Sequence, residues 1–127
     1  MILLDTNYLI RVLVKDSIES ERIIDWFQAG VDLCTSSVAW YEFLGGPVDD
    51  EGVLAVQSLL RERILPFTTD QAAESSRLFN ATGRQRHLRV DAMIAAAAII
   101  ANADLATGNI EHFIGFRNYG LKLALGT

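Results

Sequence analysis

Several things are scarce in this chain, and each shortage excludes something. A single cysteine, Cys34, stands among 127 residues, so no internal disulfide can form. A lone thiol without a Cys or His partner at ligand spacing is not a structural zinc site, and a reducing compartment is the simpler setting. Only two prolines are present, there is no polar tract, and half of the residues are hydrophobic. A disordered tail or linker lacks the apolar surface to offset its ordering entropy, and this chain does not lack it. Long apolar runs are missing too. The longest, Ala92 to Ala101, is about half of the ~20 residues a membrane-spanning helix needs. The opening Met-Ile-Leu-Leu-Asp has no positive region and a carboxylate at the fifth position, unlike a secretory signal. A soluble, cytoplasmic protein with no membrane partner is expected. Positive charge is the last shortage: 11 Lys+Arg against 16 Asp+Glu leave a formal charge of −5. That excludes a broad basic surface coating nucleic acid, though not a local basic site.

What is present fits one compact domain over 1–127. Ile2-Leu3-Leu4 reads as a buried strand ending at Asp5-Thr6-Asn7, residues suited to strand ends and helix caps. Tyr8, Leu9, Val12 and Leu13 follow at helical spacing. A helix over Ser17 to Gln28 places Ile23, Ile24, Trp26 and Phe27 on one broad side and stops at Gly30. Val31 to Cys34 predicts a second strand, and Ser37 caps a helix that carries Trp40, Tyr41, Phe43 and Leu44 to Gly45. Asp49-Asp50-Glu51 opens another helix, Ile64-Leu65-Pro66 a short strand, and Thr68 or Thr69 a helix stopped by Gly83. Val90 to Ala103 is apolar nearly all round and predicts a buried helix, flat against a sheet where alanine allows close approach. Leu105-Ala106-Thr107 and Leu121-Lys122-Leu123 are the last strand candidates. Short strands alternating with helices imply right-handed crossovers and a mainly parallel sheet with helices on both faces. Trp26, Phe27, Trp40 and Tyr41 are expected in the core, with an interface as the other use of so much aromatic area.

In such a fold the ligand site lies beyond the carboxyl ends of the strands. Asp5 directly follows the first strand, Asn109 falls two residues after Thr107, Asp91 opens the alanine-rich helix, and Glu42 sits on the helix after the second strand. Singly, Asp5 reads as a helix cap and Asp91 as a first-turn acid complementing the helix dipole. Glu42, between Tyr41 and Phe43 on an expected inward side, needs a partner there. Jointly, three carboxylates converging in a cleft repel one another unless a cation neutralises them. All-oxygen ligation without thiolates or a histidine pair favours magnesium or manganese over zinc or copper. Arg84, Arg86 and Arg89, with His87 among them, lie just before Asp91, in place to hold backbone phosphates beside the acids. A solvated loop is the plainer reading of that run.

Four segments resemble the signature segments of PIN-domain nucleases. They are Leu3-Leu4-Asp5-Thr6-Asn7-Tyr8-Leu9-Ile10, Thr35 to Phe43 around Glu42, Val90-Asp91-Ala92-Met93-Ile94 with the alanines after it, and Leu105-Ala106-Thr107-Gly108-Asn109 with Phe113. Their order and spacing resemble the VapC toxins of bacterial and archaeal toxin–antitoxin pairs, over essentially the whole chain. The resemblance implies an α/β/α sandwich and a Mg²⁺- or Mn²⁺-dependent endoribonuclease. It implies Asp5 and Asp91 as metal ligands, Glu42 as the acid that completes the pocket, Asn109 at the fourth site, and Thr6, Asn7 and Thr107 lining it. His112 stands where those toxins often carry an acid, with Glu111 beside it. With Asn109 neutral, one ion rather than two is expected. The implied partners are RNA, a cognate antitoxin protein and a second copy of the chain. Two other classes stay open. A haloacid dehalogenase-type phosphatase also begins with an aspartate after its first strand, but Asn7 stands where its second aspartate belongs, and the only lysines are Lys15 and Lys122. A catalytically silent PIN-like binding module is the other, disfavoured because Asp5, Glu42 and Asp91 are all present.

Overall fold

The protein is described over residues 1–124 by a computed structural model. Strand β1 (Ile2–Leu4) is wholly buried and lies between β2 (Leu33–Ser36) and β4 (Asp104–Ala106). β3 (Ile64–Leu65) pairs with the outer side of β2, giving the order β3-β2-β1-β4 with every pairing parallel. Ile2 stands opposite Leu33 on one side and Asp104 on the other, and Leu3 opposite Cys34 and Leu105. Leu121–Leu123, expected as a strand, contributes one parallel bridge, Leu123 to Leu105. Helices flank the sheet: α1 (Thr6–Arg11), α2 (Ile18–Gln28), α3 (Ser37–Leu44), α4 (Asp50–Leu60), α5 (Thr69–Ala81), α6 (Arg89–Ile100) and the short α7 (Ile110–Phe113). The result is the expected three-layer arrangement around a parallel sheet. No helix among the described residues is long and apolar enough to cross a membrane.

Helix ends explain where boundaries depart from expectation. At the end of α2 the Gly30 N–H bonds the Phe27 carbonyl, the Val31 N–H bonds that of Trp26, and Gly30 takes φ +79°. This is a Schellman cap. It commits Val31 to the helix terminus, so β2 starts two residues later than expected, at Leu33. The same pattern ends α6 at Ile100 instead of Ala103: the Ala103 N–H bonds the Ala98 carbonyl, with Asn102 left-handed at φ +53°. At α3 the cap is Ser36, whose hydroxyl accepts from Ala39 N–H at 3.0 Å. Ser37, the expected cap, instead donates to the Leu65 carbonyl at 2.7 Å and ties α3 to β3.

Helical periodicity also sorts the aromatics. Residues three or four apart share a face, whereas neighbours lie ~100° apart. Ile23 is buried and Trp26 half-buried, stacked near Tyr8, but Ile24 and Phe27 are about half exposed on the other side of α2. On α3, Ala39 and Phe43 form the core stripe, Trp40 flanks it against Phe43, and Tyr41 points outward, 78% exposed. Phe27 and Tyr41 are therefore not core residues. The alanines of α6 are buried as expected, Ala92 and Ala95 to Ala98 alike, but the helix packs chiefly against α5 and only secondarily against β2 and β4 instead of lying flat on the sheet.

Candidate active site

β1 delivers Asp5 at the carboxyl edge of the sheet, where its N–H bonds the Ala106 carbonyl of β4 at 2.9 Å. Its two carboxylate oxygens are used differently. Oδ1 accepts from the Thr6 N–H at 2.8 Å and caps α1, while Oδ2 accepts the Thr107 hydroxyl at 2.7 Å from the end of β4. The cap and the site residue are thus one side chain. Asp5 is 5% exposed. Burial lifts its pKa to about 6, against the lowering effect of the Thr107 and Thr6 hydrogen bonds and with added repulsion from Asp91 and Glu42. Asp91, in the first turn of α6, is raised by burial and held down by His112, whose Nδ1 lies 3.1 Å from Asp91 Oδ2. Glu42 is exposed, not inward-facing as expected, and its Oε1 accepts the Thr6 hydroxyl at 2.8 Å. Exposure removes the need for a partner that an inward position would have imposed, because water solvates the carboxylate.

The loop after β4 completes the edge. Thr107 Oγ1, while donating to Asp5, accepts from Asn109 N–H at 3.0 Å. Asn7 Oδ1 accepts from Gly108 N–H at 3.2 Å, and a Cβ at Gly108 would stand 2.8 Å from Asn7 Nδ2. Asn7 therefore anchors the loop. Asn109 is exposed, and its side chain makes no hydrogen bond among the described residues.

The residues at this edge can be compared with known proteins. The family model described as the PIN domain matches residues 2–115. The chain belongs to the PIN domain family. Among solved structures, FitAcB from Neisseria gonorrhoeae shares 25% identity over 97% of this chain and 96% of its own, with a TM-score of 0.71. A toxin–antitoxin complex from Klebsiella pneumoniae matches over 100% of both chains at 22% identity and TM-score 0.75. VapBC2 from Rickettsia felis, bound to a DNA fragment from its promoter, matches at 22% identity over 97% of each chain with TM-score 0.71. No curated protein matches the chain.

In this PIN domain the structure brings together Asp5, Glu42 and Asp91, with Thr6 and Thr107 between them as hydroxyl donors. Each acid has a hydrogen-bond partner of its own, and no group of three or more His, Cys, Asp or Glu side chains among the described residues is arranged to enclose an ion. Two of the three arginines stack on an aromatic ring. Arg84 and Arg89 both lie over the Phe79 ring of α5, at 5.3 and 5.7 Å from its centroid, and none of Arg84, Arg86 and Arg89 forms an ion pair among the described residues. The basic partner of the acids is His112. It had a signal in the sequence, as the residue standing where similar toxins carry an acid, but the bond to Asp91 spans 21 positions and only folding shows it. His87, four residues before Asp91, also faces that carboxylate and lies edge-on to His112 at 6.1 Å.

Proposed function

We propose that this PIN domain, a single domain over 1–127 whose last three residues lie outside the described ones, is a VapC-type toxin. Its activity would be that of a Mg²⁺- or Mn²⁺-dependent endoribonuclease. One observation carries the reading: a buried aspartate at the end of the inner strand β1 is destabilised by burial and by two further carboxylates, and among the described residues no Lys or Arg pairs with any of the three. The donor set fits a hard divalent cation, being all oxygen, with Asp5 and Asp91 as ligands and Glu42 beside them. When bound, such an ion supplies positive charge to a phosphodiester and acidifies water.

The chain's own groups do the rest. Thr107 and Thr6 aim the Asp5 carboxylate by bonding each of its oxygens. His112 holds Asp91 through Oδ2 and leaves Oδ1 to act. Glu42, exposed and steadied by Thr6, is placed to orient or deprotonate the attacking water, whose in-line attack leaves a 5′-phosphate and a 3′-hydroxyl. Asn7 keeps Asn109 at the rim through Gly108. Arg84, Arg86 and Arg89 serve as phosphate contacts along the strand's approach.

The solved relatives described as toxin–antitoxin complexes support an antitoxin protein as partner. The groove of about 400 Å³ lined by Val38, Tyr41, Phe67, Val90 and Met93 supports a second copy of this chain as another. Incubation with structured RNA in 5 mM Mg²⁺ or Mn²⁺, followed by mapping of RNA ends, tests the activity. Cleavage by wild type and at least ~100-fold slower cleavage by Asp5→Ala is expected, on the scale of losing a principal site group. Equal rates would overturn the assignment. Calorimetric titration with manganese separates the silent module, since wild type binds and Asp91→Asn does not.

A further inference from the structure

Next to the acidic edge lies a groove of about 410 Å³ that the reading above does not use. It runs between the 3₁₀ turn Arg86–Leu88 before α6 and the 3₁₀ segment Ile114–Tyr119 after α7. Its volume is that of a small-molecule site. His112 belongs to both places: its Nδ1 holds Asp91 Oδ2 at 3.1 Å while its ring forms one wall of the groove. His87 stands edge-on to it, with ring centroids 6.1 Å apart and planes at 81°. Tyr119 closes the far side, its hydroxyl fixed on the Ala81 carbonyl and its own carbonyl on Arg77 Nη2. Two amide side chains face the same space. Gln85 donates Nε2 to the Thr82 carbonyl and keeps Oε1 free to accept, while Asn118 has all its hydrogen-bonding capacity unspent among the described residues.

The chemistry of this lining selects a ligand. No Lys or Arg lines the groove and Glu111 stands in its wall, so it is unsuited to a phosphate. Planar rings set against amide donors and acceptors suit a flat, uncharged heterocycle, the combination by which proteins read unpaired bases. We propose that this groove is a nucleobase pocket, which receives an unpaired base of the RNA strand next to the phosphodiester seated at Asp5 and Asp91. The proposal rests on the ribonuclease reading for its substrate. It makes Gln85, His87 and Asn118 specificity-determining residues, and it places base selection one side chain away from the reacting phosphate.

Gly115 offers a clean way to block the groove. It lines the wall, and a Cβ there would meet no heavy atom within 4 Å, so Gly115→Leu adds bulk at the wall without forcing the backbone. The test uses the full chain in EDTA, titrated with AMP, CMP, GMP, UMP and ribose 5-phosphate, and read by amide NMR. At least one nucleotide is expected to shift the signals of Gln85, His87, Gly115 and Asn118, whereas ribose 5-phosphate leaves them in place. Gly115→Leu and His87→Ala should each weaken that binding roughly five- to tenfold, the scale of a lost stacking contact. No shift with any of the four nucleotides, or the same shifts with ribose 5-phosphate, overturns the proposal. Cleavage of short RNAs varied at the residues flanking the cut separates the two readings. If RNA is cut but both variants keep the wild-type base preference, the pocket falls and the nuclease stands. If nucleotides bind and no RNA is cut, the nuclease reading falls and base binding stands.

Discussion

Asp5 carries a conflict that folding does not require and that the proposed function would. Its folded pKa, about 6, lies above the ordinary 3.8, so the native state favours the protonated form. The cost is fully present above pH 6 and fades as pH falls through 6 towards 3.8. Below that both states are protonated and Asp5 no longer contributes. Asp5→Asn keeps the volume and removes the charge, so without metal at pH 7.5 it should melt several degrees higher than wild type, a gain on the order of 1–3 kcal/mol. The gain should shrink as the buffer approaches pH 4.5. A lower melting temperature for the variant would show that Asp5 is already compensated. Manganese at millimolar concentration should raise the wild-type melting temperature and leave Asp5→Asn unmoved, because only a ligand that binds the native state stabilises it. Thr107 shows the same economy of groups, since one hydroxyl donates to Asp5 and accepts from Asn109. Thr107→Val strands both partners and should cost about 1–3 kcal/mol in urea unfolding.

At the scale of elements, the site is made of ends. Asp5 follows β1, Thr107 follows β4, Asp91 lies in the first turn of α6, and Glu42 comes from the last turn of α3, itself capped at the end of β2. Two junctions hold these ends in register. One is Thr35 Oγ1 donating to the Leu4 carbonyl at 2.7 Å, across from β2 to β1. The other is Asn7 holding the loop at Gly108. Gly108→Ala pushes a methyl to 2.8 Å from Asn7 Nδ2, which breaks that tie in an exposed loop. Cleavage should fall about tenfold or more while the melting temperature changes little, consistent with the sensitivity of catalysis to small misplacement. Loss of fold instead of activity would count against Asn7 as a positioning residue. Helix α6 makes the opposite case. Ala96 is fully buried in a helix packed closely against its neighbours, so Ala96→Leu overpacks the core and should cost about 1–3 kcal/mol.

Over the whole molecule, the charge of −5 takes on a different meaning. Three of the sixteen acids gather at one edge of the sheet, while Arg84 and Arg89 lie over Phe79 and none of Arg84, Arg86 and Arg89 pairs with an acid among the described residues. Substrate is therefore expected to be gripped by a few contacts. RNA binding should show a shallow salt dependence, flattened further in Arg86→Ala with Arg89→Ala, because each lost phosphate contact removes about one unit of slope. An unchanged slope would make those arginines surface residues. The apolar groove around Tyr41 gives the molecule a second face. If two copies meet there, Tyr41→Glu should convert a dimer to a monomer by light scattering with cleavage chemistry retained. A wild type that is monomeric at all concentrations would remove the dimer.

Much of this was legible in the chain before any fold. Strand ends, caps and the buried alanine helix follow from local patterning, because caps and periodicity are short-range physics. Asp5, Glu42 and Asp91 could be singled out because a parallel sheet brings their positions to one edge, where three carboxylates repel one another. Boundaries such as Leu33 and Ile100 were missed by two or three residues, since Schellman caps draw the residues after a helix back onto its last carbonyls. The exposure of Phe27, Tyr41 and Glu42 depended on which side of each helix met the sheet. The pairing of His112 with Asp91, the placement of Arg84 and Arg89 around Phe79, and the groove beside the acids all join residues distant in sequence. Sequence alone determined which acids and hydroxyls are available as candidates for the site. Only the tertiary structure decided which of them touch, because contacts between distant residues depend on how the layers pack and not on any local pattern.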